Sequence, residues 1–259
     1  MARHSGNEIN ELAQEDDDPF LRQSRSVARD WPKPIRDHAD NLLRHLHRGR
    51  LVVPRSVNFV PILHGRDDPD DEELEKDLSD LFESKLTARS VIVSGESYGV
   101  PYDPRVDFRA HANTMRELDR ALGGRGAVKD LRRDIDDTVG FERAMRRVAK
   151  THPDVRIGGF ESRSGAIIAT ILEKAPAAVG LSELTVVEPK WRLGIEARTR
   201  QALNRAADHY GAVDLFFLAG GFHGPGIDNW CRRNNVLFQM WVSDVIARRL
   251  PAFYGRSDS

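Results

Sequence analysis

The sequence has one cysteine, Cys231, in 259 residues, which excludes an intramolecular disulfide framework and a cysteine-rich zinc module. A lone cysteine fits a reducing compartment, so we predict a cytoplasmic protein. Long apolar runs are also missing. No stretch approaches the roughly 18 residues that a membrane span needs, and the polar start does not resemble a secretory signal. The sequence therefore predicts a protein without a membrane partner.

Net charge is also small, because 39 Lys and Arg residues stand against 40 Asp and Glu residues, for a formal charge of −1. Taken alone, this value argues against a nucleic-acid partner. The charge is unevenly spread, however: residues 141–259 carry 17 basic and 12 acidic side chains, whereas residues 1–140 carry a net charge of −6. This asymmetry indicates a polyanion-binding part beside an acidic part, although an arginine-rich helical surface would give the same numbers.

The residues that are present, 40% apolar and 31% charged, are typical of a folded protein with a strongly charged surface. The length allows one large domain or two small ones. Gly123, Gly124 and Gly126 end a helical pattern, so we place a domain boundary between residues 123 and 140. Three regions are then predicted: a polar tail at 1–30, a helix-rich α/β accessory region at 31–135 and an α/β domain at 136–259.

The spacing of apolar residues predicts an α/β fold with a mixed central sheet flanked by helices. Short apolar runs predict strands at about 56–63, 90–94, 155–160, 166–172, 184–188, 213–218 and 236–240. Helical spacing predicts helices at about 34–47, 67–86, 108–122, 139–150, 195–210, 227–233 and 243–250. Pro61 indicates that the first strand ends there or lies at a sheet edge.

A charged pair follows the strand predicted at 184–188. Alternate side chains of a strand share a face, so Glu188 and Lys190 of LTVVEPKW would point the same way. A carboxylate at a strand end can ligate Mg²⁺, and a neighbouring lysine can orient or deprotonate the attacking water. Because Mg²⁺ usually takes one or two protein carboxylates, a second acid is needed, and Asp154 and Glu161 are the candidates.

At these residues the chain resembles the restriction-endonuclease-like, PD-(D/E)XK nuclease superfamily, and its Mrr-like branch in particular. The resemblance covers about residues 138–259. It depends on FERAMRRVAKTHP as the first helix, LTVVEPKWR as the catalytic strand, and RQALNRAADHYGAVDLFFLAGGF and WCRRNNVLFQMWVSDVIARRL as the elements that follow. It implies a restriction-endonuclease-like core for the C-terminal half, which makes region 136–259 a nuclease-like domain.

The resemblance implies a Mg²⁺-dependent or Mn²⁺-dependent endonuclease that hydrolyses phosphodiester bonds in DNA. Glu188 with Asp154 or Glu161 would bind the metal, and Lys190 would activate water and offset the charge of the transition state. Four nearby side chains would hold DNA phosphates or stack on a base, or else be a core tryptophan and solvated arginines: Trp191, Arg192, Arg198 and Arg200. Because cleavage of a duplex needs two cuts, we predict a homodimer.

A second resemblance involves three other strand ends. His64 follows VNFVPIL, Glu96 ends VIVSGE, and His223 lies in FLAGGFHGPG. This arrangement is similar to the TraB/Tiki-like family of metal-dependent hydrolases, which implies that the three side chains converge on a transition-metal ion. The simpler interpretation is three polar residues in loops at strand ends. A further alternative is a catalytically incomplete nuclease-like fold that serves as a binding or scaffold protein, in which neither candidate acid approaches Glu188.

Overall fold

One sheet contains all six strands of the described residues, which in this computed structural model are 19–44, 46, 52–62, 71–121, 139–174 and 189–248. In chain order the strands are β1 (Ser56–Ile62), β2 (Ser90–Ser94), β3 (Tyr98–Gly99), β4 (Arg156–Phe160), β5 (Asp214–Gly220) and β6 (Leu237–Met240). Their order across the sheet is β3-β4-β2-β5-β1-β6, and only the two-residue β3 runs antiparallel to its neighbour. The predicted α/β class with a mixed central sheet is confirmed.

The helices of the described residues connect these strands and cover the sheet. They are α1 (Pro19–Ala28), α2 (Lys33–Arg44), α3 (Asp71–Lys85), α4 (Pro104–Ala121), α5 (Val139–Thr151), α6 (Arg163–Lys174), α7 (Pro189–Tyr210) and α8 (Gly224–Arg233). A 3₁₀ helix, Gly221–His223, joins β5 to α8, and residues 244–248 are helical. None of the described helices has the length and apolar character that a membrane crossing requires.

Both faces of the sheet are buried, which is why its central strands are almost continuously apolar. On one face, side chains of α3 and α5 such as Phe82 and Met145 pack against Ile92 and its neighbours. On the other face, α7 and α8 contribute Leu203 and Trp230 to a cluster around the central strands. A further layer lies outside this second face, where α1 and α2 pack on α6 and α7.

Pro61 lies in β1, an internal strand between β5 and β6, and it lies near the end of that strand. The Phe59 carbonyl accepts a hydrogen bond from Trp241 N–H on the β6 side. Backbone groups two residues apart point the same way, so the Pro61 nitrogen also faces the β6 side. The β6 ladder pairs only Ser56 to Phe59, so no ladder donor is missing at Pro61.

Two sequence predictions for the C-terminal half are wrong. The run 166–172, predicted as a strand, belongs to helix α6. This helix contacts α2, α4 and α7, so almost every side is buried and no helical spacing of apolar residues shows.

Lys190, predicted to continue a strand, lies in the first turn of α7, which begins at Pro189. Proline suits a first helical turn because its fixed φ is helical and its missing N–H is not needed there.

The predicted division at 135/136 runs through the sheet. Strands β1, β2 and β3 come from before it and β4, β5 and β6 from after it, yet β2 lies between β4 and β5. The two regions therefore share one sheet.

The predicted tail 1–30 contains helix α1, whose Leu21 is fully buried against α2 and α7. The sequence did not reveal this helix because an amphipathic helix beside an acidic run is polar overall. Residues 1–18 are outside the described part.

The carboxyl ends of the parallel strands form an edge where chain connections diverge. Strands β2 and β5 are neighbours, but the chain continues from β2 towards β4 and from β5 towards β6. Connections that leave neighbouring parallel strands in opposite directions open a crevice between them, and ligands of open α/β sheets bind in such crevices. The residues that follow β2, β4 and β5 therefore lie where a ligand of this fold is expected to bind.

Candidate functional site

Three ionisable side chains follow the three strands at this crevice: Glu96 after β2, Glu161 after β4 and His223 after β5. The sequence singled out each of them, but as members of two different sites. Glu161 was assigned to the nuclease site, and Glu96 and His223 to the metal-hydrolase site. Because β4, β2 and β5 are adjacent, the fold brings all three to one edge of the sheet.

Glu96 and His223 are in direct contact. Their atoms Oε1 and Nε2 lie 3.2 Å apart, and the same carboxylate oxygen accepts a 3.3 Å hydrogen bond from the Gly220 N–H. The histidine side chain is 3% exposed and the glutamate 14%. The glutamate is therefore the member of the pair that remains accessible from the crevice.

Short local contacts fix the loop that carries Glu96. The Ser94 hydroxyl accepts the Glu96 N–H at 3.3 Å and donates to Ser97 Oγ at 2.9 Å. Gly95 lies against β5, where a Cβ atom would come within 2.7 Å of the Phe217 ring. Glycine at position 95 thus lets the loop approach β5. The two serines hold the loop so that the Glu96 carboxylate points towards β5.

The other ring nitrogen of His223 contacts a helix. Its Nδ1 lies 2.7 Å from the hydroxyl oxygen of Thr199 in α7, and that oxygen also lies 2.7 Å from the Ile195 carbonyl one turn earlier. A threonine hydroxyl has one hydrogen. When it donates to the carbonyl, as threonines within helices commonly do, it can only accept from His223, whose Nδ1 then carries the proton.

This tautomer has a consequence for Nε2. With the proton on Nδ1, a neutral imidazole presents a lone pair at Nε2, directly opposite the Glu96 carboxylate oxygen. Two acceptors 3.2 Å apart repel each other unless a cation lies between or beside them. A proton shared with Glu96 or a metal ion that both atoms ligate would satisfy this arrangement.

Glu161 forms a second pair at the same edge, with Arg198 of α7. Arg198 Nε donates to both carboxylate oxygens, at 2.9 and 2.8 Å, and Nη2 donates to Oε2. The Glu161 side chain is fully buried and also accepts the Ser162 N–H at 2.6 Å. Burial alone would lower the pKa of Arg198, but the Glu161 charge and hydrogen bonds raise it above its ordinary value. Both oxygens of the Glu161 carboxylate are thus bound by the Arg198 guanidinium.

The two candidate acids of the predicted nuclease site lie at opposite ends of β4. Asp154 lies in the turn before β4 and Glu161 directly after it, so the two acids are separated by the length of a five-residue strand, about 17 Å. Lys190 is helical, and Glu188 lies outside the described residues. The proposed Glu-x-Lys strand is therefore not available in the described part to position the lysine beside either acid.

Of the four predicted nucleic-acid contacts, the structure describes the side chains of Arg198 and Arg200. Arg200 lies over the Phe20 ring, 4.9 Å from its centre, and Arg198 is paired with Glu161. Trp191 and Arg192 belong to the first turn of α7, and their side chains are outside the described part. Nothing at these positions forms a common basic surface among the described residues.

Other chemical groups of the described chain offer no competing site. Cys231 is fully buried, and burial raises the pKa of its thiol to about 12, which leaves it protonated at neutral pH. Within the described ranges, no three His, Cys, Asp or Glu side chains are grouped so that they could hold a metal ion. His64, the third member of the predicted metal-hydrolase site, lies outside these ranges.

Comparisons with protein-family models, curated proteins and solved structures find no match to this chain. The two resemblances noted in the sequence, and the nuclease activity inferred from one of them, therefore stay predictions. Sequence reasoning missed Thr199 entirely. A threonine inside a helix carries no signal of its own, and only the packing of α7 beside the 3₁₀ turn brings it to His223.

Proposed function

We propose that this protein is a hydrolase that works at the carboxyl edge of the sheet and uses a divalent metal ion held by Glu96 and His223. The observation that carries the proposal is the His223 ring itself. Its Nε2 lies 3.2 Å from a carboxylate oxygen, while its Nδ1 is held by a hydroxyl. This function corresponds to the second of the two resemblances, the TraB/Tiki-like hydrolases.

The distance between the two atoms suits a shared ion. Two ligands placed about 2.1 Å from a metal lie about 3.0 Å apart at a right angle and about 3.4 Å apart at a tetrahedral angle. The separation of His223 Nε2 and Glu96 Oε1, 3.2 Å, falls between these values. Imidazole and carboxylate together suit Zn²⁺ and related transition-metal ions.

The hydroxyl of Thr199 supports the same interpretation. A histidine that ligates a metal almost always donates its other ring N–H to an oxygen, which fixes the ring orientation and the tautomer. Thr199 Oγ1 occupies that position at 2.7 Å from Nδ1, and its own hydrogen has a partner in the Ile195 carbonyl.

Two protein ligands leave positions for water and substrate. Catalytic zinc sites commonly use three protein ligands, and the resemblance implies His64 as the third. When bound, such an ion would supply Lewis acidity towards the scissile group and a nucleophilic water near neutral pH. Glu96 and His223 would fix the position of the reacting water, and the exposed part of Glu96 would face the substrate.

The proposal is tested by titrating the chelator-treated protein with Zn²⁺ in a calorimeter. We expect one tight site in the wild type and an affinity lower by more than about tenfold in Glu96→Gln, His223→Gln and His64→Gln, because each removes a ligand. The matched control is His38→Gln with Glu117→Gln, since this second histidine–glutamate pair lies 3.9 Å apart between α2 and α4. The control should bind Zn²⁺ like the wild type.

Activity is measured on the same proteins with p-nitrophenyl acetate and p-nitrophenyl phosphate. We expect hydrolysis that a chelator abolishes, Zn²⁺ restores, and the three ligand variants lack. A parallel reaction with supercoiled plasmid and Mg²⁺ addresses the nuclease prediction, and Lys190→Ala should leave any nicking unchanged. Unaltered Zn²⁺ affinity in both Glu96→Gln and His223→Gln would overturn the proposed function.

A further inference from the structure

Arg198 has donors left over after its pair with Glu161. A guanidinium carries five N–H groups and two edges that can each bind an anion in a bidentate manner. Glu161 occupies the side edge, formed by Nε and Nη2. The end edge, formed by Nη1 and the second N–H of Nη2, has no hydrogen-bond partner among the described residues. The Arg198 side chain is 16% exposed, and its Nη1 is not one of the fully buried atoms that lack a partner, so this edge is within reach of a ligand.

The pair holds the guanidinium firmly. Glu161 is fully buried and accepts a hydrogen bond from the Ser162 N–H. The fixed carboxylate in turn fixes the plane of the Arg198 guanidinium. The aliphatic part of Arg198 packs on the start of α6, where a Cβ atom on Gly165 would lie 3.1 Å from Arg198 Cγ. An arginine held at both its stem and its side edge presents its end edge at little further cost in conformational entropy.

The Arg198 side chain lies at the same edge of the sheet as the proposed metal site, because its partner Glu161 follows β4, the neighbour of β2. Arg198 and Thr199 are consecutive in α7, and Thr199 contacts His223. Glu96 is close enough for its charge to contribute to the raised pKa of Arg198. The crevice thus contains a fixed cation beside the two groups proposed to hold a metal.

We propose that the end edge of Arg198 binds an anionic group of the substrate, a phosphate, sulfate or carboxylate, next to the reacting centre. The substrate of the proposed hydrolase is then an anion. The inference rests on the proposed function only in placing this group beside a metal ion. Charge favours this combination: the Glu161 and Arg198 charges cancel, and a divalent ion on Glu96 leaves the crevice positive.

Sulfate and acetate serve as probes of this edge. The binding of each anion is measured by calorimetry in a chelator and again with saturating Zn²⁺, so that the result does not depend on the metal site. The central variant is Arg198→Met with Glu161→Gln, which removes both charges together and leaves no buried carboxylate without a partner. Its melting temperature and circular dichroism check that it folds.

The chain provides a matched control. Arg163 and Glu117 also form an arginine–glutamate pair, 3.2 Å apart, but at positions that are about half and one-third exposed. The double variant Arg163→Met with Glu117→Gln removes the same two charges at the surface. A general loss of electrostatic attraction would affect both double variants, whereas a specific site would be lost only with Arg198.

We expect the wild type and the control to bind one anion, with Zn²⁺ tightening it, and the Arg198→Met, Glu161→Gln protein to bind it more weakly by about tenfold or more, as expected for a bidentate charged contact. A higher affinity for sulfate favours a tetrahedral anion such as phosphate or sulfate on the substrate, and a higher affinity for acetate favours a carboxylate. Equal binding by the two double variants, or no binding by the wild type under either condition, would refute the inference. Zn²⁺ affinity, measured separately, decides the proposed function, so each can fail without the other.

Discussion

At the scale of single residues, one hydroxyl determines what His223 can do. Thr199 is fully buried and donates to the Ile195 carbonyl, so it accepts a hydrogen bond from His223 Nδ1–H and leaves the Nε2 lone pair facing Glu96. The same ring without this partner would be free to place its proton on Nε2 and simply donate to the carboxylate. Thr199 is therefore a positioning residue for the proposed metal ligand.

Replacing Thr199 by valine should lower Zn²⁺ affinity by about 10- to 100-fold, the usual effect of removing a partner of a ligating histidine. It should also lower the free energy of unfolding by about 1–3 kcal/mol, because a buried N–H loses its acceptor. Thr199→Ser keeps the hydroxyl and should restore most of the Zn²⁺ affinity. Calorimetry and urea unfolding of both variants measure these effects. A serine variant as weak as the valine variant would contradict the role assigned to the hydroxyl.

At the scale of elements, the sequence predicted the ends of the strands more accurately than the ends of the helices. Short apolar runs bounded by polar or glycine residues predicted β1, β2, β4, β5 and β6 to within about three residues. The run 166–172 looked the same but forms part of α6, because a helix buried on most sides has no polar face. The strand is predicted to continue to Lys190, whereas Lys190 lies in the helix that begins at Pro189. Local pattern alone does not separate these cases.

The contact between β4 and the loop before β3 depends on Gly159. A Cβ atom there would lie 2.5 Å from the Ser97 carbonyl carbon and oxygen, and backbone atoms cannot move aside as a side chain can. Gly159→Ala should therefore cost about 1–3 kcal/mol of unfolding free energy. Gly221→Ala is the control, since nothing lies within 4 Å of its Cβ position, and its effect should stay within about 0.5 kcal/mol. Urea denaturation compares them, and equal costs would contradict the close approach.

At the scale of the whole molecule, the sheet draws strands alternately from both halves of the chain. The glycine-rich segment predicts a domain boundary, and the charges of −6 for residues 1–140 and +5 for residues 141–259 favour two separate parts. Strand order is not visible in a sequence, so nothing indicated that β2 would insert between β4 and β5. The same insertion brings Glu96 to His223, although 127 positions separate them in the chain. The ends of the strands were predictable, but their neighbours were not.

It follows that residues 136–259 should not fold alone. Without β1 and β2, strand β5 would lose the partners on both its sides, and the apolar faces of α7 and α8 would lose much of their cover. We expect a fragment of these residues to show little NMR chemical-shift dispersion and no cooperative unfolding, whereas co-expression with 1–135 should restore a folded complex. A fragment that unfolds cooperatively by itself would show that the C-terminal part is an independent domain.

Anomalous diffraction from crystals grown with Zn²⁺ shows directly whether Glu96 and His223 hold one metal ion. We predict a peak about 2.1 Å from His223 Nε2 and at a similar distance from a Glu96 carboxylate oxygen, with Nδ1 still on Thr199. A crystal in which Zn²⁺ is absent from this edge, with Nε2 remaining in direct contact with Glu96, would contradict it.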